Sequence, residues 1–245
     1  MTGLELNRGS GMTLWLQIAA RLEEQILAGT WKPGEQLPTE HSLADRFAVN
    51  RHTARRAVAS LAEQGLVRIE QGRGTFVHEG VIDYRLGRRT RFSENLSAQK
   101  REPSGRLLRA EELPAAQPVA TALGLRKRAP VIMIERLGEA DGRPISVSSH
   151  YFSKARFPNV AELFRETGSI TLALAKCGVS DYSRKWTKVT ARAARAADAR
   201  LLGQPTSRPI LMTEGINIDT DGQPIEYSVS RWASDRVQFL VEPGT

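Results

Sequence analysis

The chain has 245 residues, 40% of them hydrophobic and 25% charged, which suits one large domain or two modest ones, each burying a core. No apolar run approaches the roughly 20 residues that span a bilayer, and a single cysteine, Cys177, excludes an internal disulfide. The formal net charge of +8 invites a nucleic-acid partner, yet residues 1–80 hold nine basic and nine acidic side chains; the excess lies in residues 81–110, with eight against three, and in 111–245, with eighteen against fifteen. Local placement of charge therefore matters more than its total.

Residues 1–12 lack the apolar core of a signal peptide and read as a short disordered lead, which with the lone cysteine predicts a cytoplasmic protein. From Thr13 to Ala28, Leu14, Ile18, Leu22 and Ile26 recur with helical period, and Gly29 is a stop. Pro33, Gly34 and Pro38 then mark a turn or extended link. Thr39-Glu40-His41-Ser42 opens a second helix, with Leu43, Ala44 and Phe47 on its buried side. Asn50 is a good N-cap for a third, on which Ala54, Ala57, Val58 and Leu61 form a stripe of mostly small residues. The opposite face carries Arg51, His52 and Arg55, with Arg56 beside it, and no acidic residue intervenes between Asn50 and Glu63. After Gly65, Leu66–Ile69 and Thr75–Val77 flank Gly72-Arg73-Gly74 as a hairpin.

Two short helices joined by a tight turn, the second small inside and cationic outside, form a helix-turn-helix pattern with a wing. Close packing of the second helix lets long polar residues near its N-terminus enter a major groove, where arginine reads guanine bidentately. Glycines at the hairpin tip permit close approach to a groove, with Arg73 reaching in. The object that both elements fit is duplex DNA. "GEQLPTE" (34–40), "NRHTARRAV" (50–58) and "GRGTFV" (72–77) resemble the GntR family of bacterial transcription regulators over residues 13–78. The resemblance implies DNA contacts at His41, Asn50, Arg51, His52, Thr53, Arg55, Gln71 and Gly72, to which the wing's Arg73 is added; His41 stands where many members have arginine.

Composition changes after His78, so residues 79–84 are expected to be a linker, followed by a basic cluster at Arg85, Arg88, Arg89 and Arg91. The remainder, 85–245, contains a duplication: "PVIMIERLGEADGRPISVSSHYF" (130–152) parallels "PILMTEGINIDTDGQPIEYSVSRW" (209–232), with one residue inserted before the second Asp-Gly. Asp-Gly between alternating runs predicts a hairpin in each copy, the two lying in one antiparallel sheet with pseudo-twofold character. Residues 169–178 read as a helix and 185–193 as a further strand. Ser148, Ser149 and His150 after the first turn, and Glu226, Tyr227, Ser228 and Ser230 after the second, are candidates to line one cleft with Arg136, a cleft suited to a phosphate- or phosphonate-bearing anion.

"TRFSENL" (90–96), the two "DG-PI" turns and "IEYS" (225–228) resemble the UTRA effector-binding domain that accompanies this winged helix in the HutC branch of the family. The resemblance implies an α+β architecture: a winged helix-turn-helix joined to a chorismate-lyase-like antiparallel-sheet domain that binds effector and dimerises. Effector contacts are expected at Arg91, Phe92, Ser93, Arg136, Ser148, Tyr151, Ser169, Thr171, Glu226, Ser230 and Trp232. Members sensing amino-sugar phosphates carry a second arginine two residues after Arg136, a glutamate at the Ser148 position and a tyrosine at the Thr171 position; here the first is Gly138. A sugar-phosphate effector is accordingly less favoured than phosphate or a phosphonate, and "NRHT-RRA", the Asp83-Tyr84 pair and "RFSENL" resemble regulators of phosphonate metabolism, with urocanate a further alternative. The four histidines and Cys177 lack metal-ligand spacing, and no Walker loop, nucleophile elbow or dinucleotide fingerprint occurs, so neither an enzyme nor a cofactor is expected. The expected partners are an operator in double-stranded DNA, a small anionic effector and a second copy of the chain as a homodimer, with no membrane.

Overall fold

A computed structural model describes residues 6, 11–78 and 80–242, and the chain falls into two units, Met1–Gly80 and Val81–Thr245. Three helices, α1 (Leu14–Leu27), α2 (Glu40–Arg46) and α3 (Arg51–Glu63), and a hairpin of β1 (Val67–Glu70) and β2 (Gly74–Val77) build the first unit. The apolar spacing does what helical period requires: Ile18 and Leu22, Leu43 and Ala44, and Ala54, Ala57, Val58 and Leu61 converge with Leu37, Phe47, Val67 and Val77 in one core. Capping sets the starts of α2 and α3, where Thr39 Oγ1 accepts from the Ser42 amide at 3.2 Å and Asn50 Oδ1 from the Thr53 amide at 2.8 Å. Gly72 and Gly74, with φ of 75° and 120°, turn the hairpin through backbone conformations that side-chain-bearing residues resist. Most of the lead over 1–12 lies outside the described residues; Leu6, which is described, packs against this core.

The second unit is a six-stranded antiparallel sheet in the order β4-β5-β6-β9-β8-β7, formed by β4 (Pro103–Pro114), β5 (Pro130–Ala140), β6 (Arg143–Ser153), β7 (Ser183–Ala193), β8 (Pro209–Ile218) and β9 (Pro224–Ala233). Helix α5 (Gln117–Leu123) links β4 to β5 as α8 (Ala196–Leu201) links β7 to β8, so each copy is strand, helix and hairpin. The copies meet at the β6–β9 pairing, and the strand order reads the same from both edges, which is the pseudo-twofold sheet expected from the duplication. In the first hairpin Asp141 and Gly142, at φ 52° and 75°, make the two-residue turn. The residue inserted in the second copy lengthens the loop, which closes on Asp219 Oδ1, an acceptor from the amides of Asp221 and Gln223.

Both faces of the sheet are covered. On one, α5 packs over Val131, Ile216 and Tyr227, and Leu202 beside α8 packs over Leu137, Val147 and Ile210. On the other, α6 (Val160–Thr167) and α7 (Ile170–Lys176) pack over Ile132, Ile134 and Phe152. The linker expected over 79–84 needs correction. Strand β3 (Ile82–Arg85) begins inside it and pairs in parallel with β10 (Val237–Leu240), while residue 79 lies outside the described residues. Ile82 and Tyr84 are buried with Leu96 of α4 (Phe92–Ser97) and with Trp232, so alternate apolar residues claimed this stretch for the core. Among the described residues no helix is long and apolar enough to cross a membrane. Replacing Asn50 with alanine should cost about 1 kcal/mol of stability in urea unfolding of the full chain, whereas Asn50→Asp should retain most of it, because only an Ncap oxygen is needed.

Candidate DNA-contacting surface and effector cavity

In the first unit Arg51 and Arg55 project from the first turns of α3 with side chains 65% and 52% exposed. One carboxylate organises both: Arg51 Nε donates to Glu40 Oε2 at 3.2 Å and Arg55 Nε to the same oxygen at 3.1 Å. These contacts use Nε of each guanidinium, so the terminal nitrogens that form a bidentate fork lie outside them. His41 and His52 are exposed, His41 Nε2 standing 3.6 Å from Asp45 one turn on. Asn50 and Thr53 are committed to each other, for Thr53 Oγ1 also donates to Asn50 Oδ1 at 2.9 Å. A phosphate at Thr53 would have to displace that bond, because a hydroxyl has one proton to give.

Gln71, Gly72 and Arg73 form the exposed hairpin turn. Arg73 Nη1 is held by Glu70 at 2.7 Å, and Gln36 Nε2 donates to the Arg73 carbonyl at 2.9 Å, bracing the wing against the link before α2. Arg56, beside this face in the sequence, lies over the Trp15 ring at 4.5 Å.

The second unit holds a cavity on the α6–α7 face of the sheet. Strand alternation selects its lining: Arg136 opposes Ser148, which opposes Ser230, which opposes Thr213. One step along, His150 opposes Ser228, and beyond them Glu226 opposes Asn217, with Arg184 of β7 next in line. Side chains on every second residue share a face, so the residues between them point away. Of the expected effector contacts, Arg91, Phe92, Ser93, Arg136, Ser148, Ser169, Thr171, Glu226, Ser230 and Trp232 line this cavity.

Tyr151 does not, and neither do Ser149 and Tyr227. Tyr151 and Tyr227 pair across strands on the far face with ring centroids 6.0 Å apart, and Ser149 bonds there to Glu135 and Arg231. Their odd positions put them on the wrong side of the pleat. Missed from the sequence were Tyr84, Tyr182, Arg184, Thr187, Thr213 and Asn217. Thr213 and Asn217 share the alternation that placed Arg136's counterpart, Gly215, and were readable from the duplication; Tyr84 and Tyr182 arrive from outside it.

Three guanidiniums enter the cavity. Arg91 stacks 3.4 Å over the Tyr182 ring and donates to the Tyr182 carbonyl at 2.7 Å. Arg136 lies 4.7 Å over Phe92, and burial pulls it below the ordinary arginine value. Arg184 crosses Gly215, where a Cβ would come within 2.1 Å of its Nη1, so this glycine makes room for the cation. Arg91 Nη1, Arg136 Nε and Arg184 Nε are buried with no hydrogen-bond partner among the described residues.

Glu226 is the one carboxylate among the described lining residues; it meets His150 Nδ1 in a short contact and accepts from Asn217 Nδ2 at 2.6 Å. Burial pushes its carboxyl up, yet the hydrogen bond from His150, the Arg184 charge and the hydrogen bond from Asn217 hold it below the usual range. Burial raises Tyr84 and Tyr182 to about 12, which keeps both phenols protonated at neutral pH.

A Cβ on Gly138 would lie 2.5 Å from Ser146 Oγ and 2.9 Å from the Phe92 ring. The position where sugar-phosphate-sensing members carry arginine is therefore filled here by an aromatic wall.

A carboxylate lowered in the folded state adds stability above the unfolded carboxylate range, and the contribution disappears as pH falls through the folded value. Glu226→Gln should accordingly flatten the acid limb of a melting-temperature curve below about pH 5, measured on the full chain.

Residues 14–77 match the family described as "Bacterial regulatory proteins, gntR family", and residues 98–238 match the UTRA domain. Over 99% of its length the chain is 40% identical to all of the "Uncharacterized HTH-type transcriptional regulator RB1450" of Rhizobium meliloti (strain 1021). It is 35% identical over 94% of its length to the "Probable transcriptional regulator PhnF" of Escherichia coli (strain K12), covering 95% of that protein. The crystal structure of PhnF from Mycobacterium smegmatis superposes with a TM-score of 0.65 at 26% identity, over 92% of this chain and 98% of that one. An N-terminal helix-turn-helix and a C-terminal cavity-bearing sheet, matched together along nearly the whole chain, place it in the GntR family as a UTRA-domain transcriptional regulator, and not an enzyme.

Proposed function

We propose that the protein is a ligand-responsive repressor of genes for phosphonate or phosphorus utilisation, acting in the cytoplasm. Homodimers formed through the second unit place two α3 helices on an inverted-repeat operator, since a two-fold protein reads a two-fold site. Arg51 and Arg55, aligned by Glu40, read base edges, and His41, Asn50, His52, Thr53 and the wing residues Gln71, Gly72 and Arg73 contact the duplex around them. A small anion seated among Arg91, Arg136 and Arg184 shifts the dimer to a geometry with unsuitable half-site spacing. Moving such an equilibrium from mostly bound to mostly free takes several kcal/mol of differential ligand affinity.

The observation that carries the effector reading is the set of three buried guanidinium nitrogens in one cavity that have no partner among the described residues. Leaving charged donors unsatisfied in low dielectric is costly, and an oxyanion relieves that cost. The wall of Phe92 against Gly138 favours a compact anion over a sugar phosphate. The likeness of "NRHT-RRA", the Asp83-Tyr84 pair and "RFSENL" (91–96) to regulators of phosphonate metabolism points the same way.

Thermal-shift titration of the full chain with phosphate, alkylphosphonates, amino-sugar phosphates and urocanate tests this, because a specific ligand raises the melting temperature by mass action. Phosphate or an alkylphosphonate should stabilise, and stabilisation by urocanate alone would reassign the pathway. Arg136→Ala should keep operator affinity in gel-shift assays and lose release by the effector. Arg51→Ala should lose about 1–3 kcal/mol of discrimination between operator and random DNA, and an equal loss on both sequences would exclude base reading.

A further inference from the structure

The hydrogen-bond network around His150 is asymmetric. Its Nδ1 faces Glu226 Oε1, whereas its Nε2 is buried without a partner among the described residues and the residue lines the cavity. Glu226 also accepts from Asn217, and an ionised carboxylate can only accept, so the proton of this contact belongs on Nδ1. The tautomer is thereby set, and Nε2 is the one ring position whose proton count is open.

Glu226 faces His150 from β9 and Arg136 lies on the neighbouring strand β5; Arg184, Tyr182, Tyr84 and Arg91 line the same cavity from β7, the residue before β7, β3 and the cap of α4. Ser148 and Ser228, its nearest polar neighbours on the sheet face, are uncharged. Both tyrosines stay protonated near neutrality, held near 12 by burial. Three guanidiniums line the cavity with His150. An anion offsets their charge and offers oxygens to an N–H donor.

We infer that His150 couples effector binding to proton uptake: as the oxyanion is seated, Nε2 takes one proton from solvent and donates it to the anion, while Glu226 keeps Nδ1–H in place. This rests on the anion-binding reading of the cavity and adds to it a specificity residue. A neutral imidazole there would accept from an effector hydroxyl, whereas the imidazolium selects a fully ionised oxygen. Imidazole is suited to the task because its charge changes near neutrality.

The test uses the full chain and sulfate as the probe, with inorganic phosphate and methylphosphonate beside it. Sulfate carries no exchangeable proton at these pH values, so any proton taken up comes from solvent. Calorimetric titrations in two buffers of different ionisation enthalpy, at several values between about pH 6 and 9, measure that uptake. Uptake should rise to at most about one proton per sulfate, the single open position on the ring, between the free and bound ring values. It should fall toward none at the acid end, where the ring is already protonated, and again well above the bound value. Sulfate affinity should weaken by up to about tenfold per pH unit on the alkaline arm, as one coupled proton requires. His150→Asn should bind more weakly and show no uptake at any pH, and Glu226→Gln should displace the uptake profile to lower pH.

Should His150→Asn fold poorly, nitrogen NMR of the native chain reads the same event. The His150 Nε2 resonance should move to the protonated position when sulfate is added. Binding without uptake in the native chain, or uptake persisting in His150→Asn, would overturn the role of His150 and leave the anion cavity standing. Failure of all three probes to bind at millimolar concentration would remove the cavity reading itself, and this inference with it.

Discussion

Three arginines lining one sheet-built cavity, each with a buried nitrogen that has no hydrogen-bond partner among the described residues, are the constraint on which the second unit turns. Cations with unmet donors are tolerated in a protein interior only where aromatic faces, a counter-charge or a ligand offset the lost hydration. Arg91 lies on Tyr182, Arg136 on Phe92, and Glu226 supplies the one carboxylate among the described lining residues. These partners hold the cations without satisfying them. Buried guanidinium nitrogens without partners among the described residues are the basis of the proposed anion-binding reading.

Duplication supplies the frame for that arrangement, and departures from duplication supply the chemistry. The copies contribute equivalent hairpins that meet at β6 and β9, so polar residues from both fall in register on one face. At equivalent positions the copies then differ: Arg136 stands opposite Gly215 in the repeat, Gly138 opposite Asn217, and His150 opposite Ser230. Gly215 admits the Arg184 side chain from β7, and Gly138 admits Phe92. A symmetric scaffold thereby becomes an asymmetric cavity, with His150 and Glu226 on the central strands β6 and β9 and Arg136 and Arg184 on β5 and β7 to either side.

The first unit uses the same economy of charge at its surface. Its net balance of basic and acidic residues is neutral, yet Glu40 gathers two arginines at the start of α3 and Glu70 holds Arg73 at the wing. Exposed ion pairs of this kind contribute little to stability, but they restrict where a long side chain points. Such restriction lowers the entropy a guanidinium loses on meeting any partner.

Local patterns were enough to place α1, α2, α3 and the hairpin, because helical period, cap residues and turn glycines act within a few positions of one another. The duplication likewise revealed the paired hairpins, and with them Arg136, Ser148, Glu226 and Ser230. Alternation along β6 and β9 could have removed Tyr151 from the candidate site, since it sits one residue past His150 and faces the opposite side. Tyr84 and Tyr182 were beyond such reasoning: the first lay in a presumed linker, and the parallel pairing of β3 with β10 joins residues more than a hundred positions apart. That the guanidinium nitrogens and His150 Nε2 have no partner among the described residues was also invisible in the one-dimensional pattern. Whether a buried donor is satisfied depends on distances among strands remote in the chain, and those distances exist only once the sheet has closed over its helices.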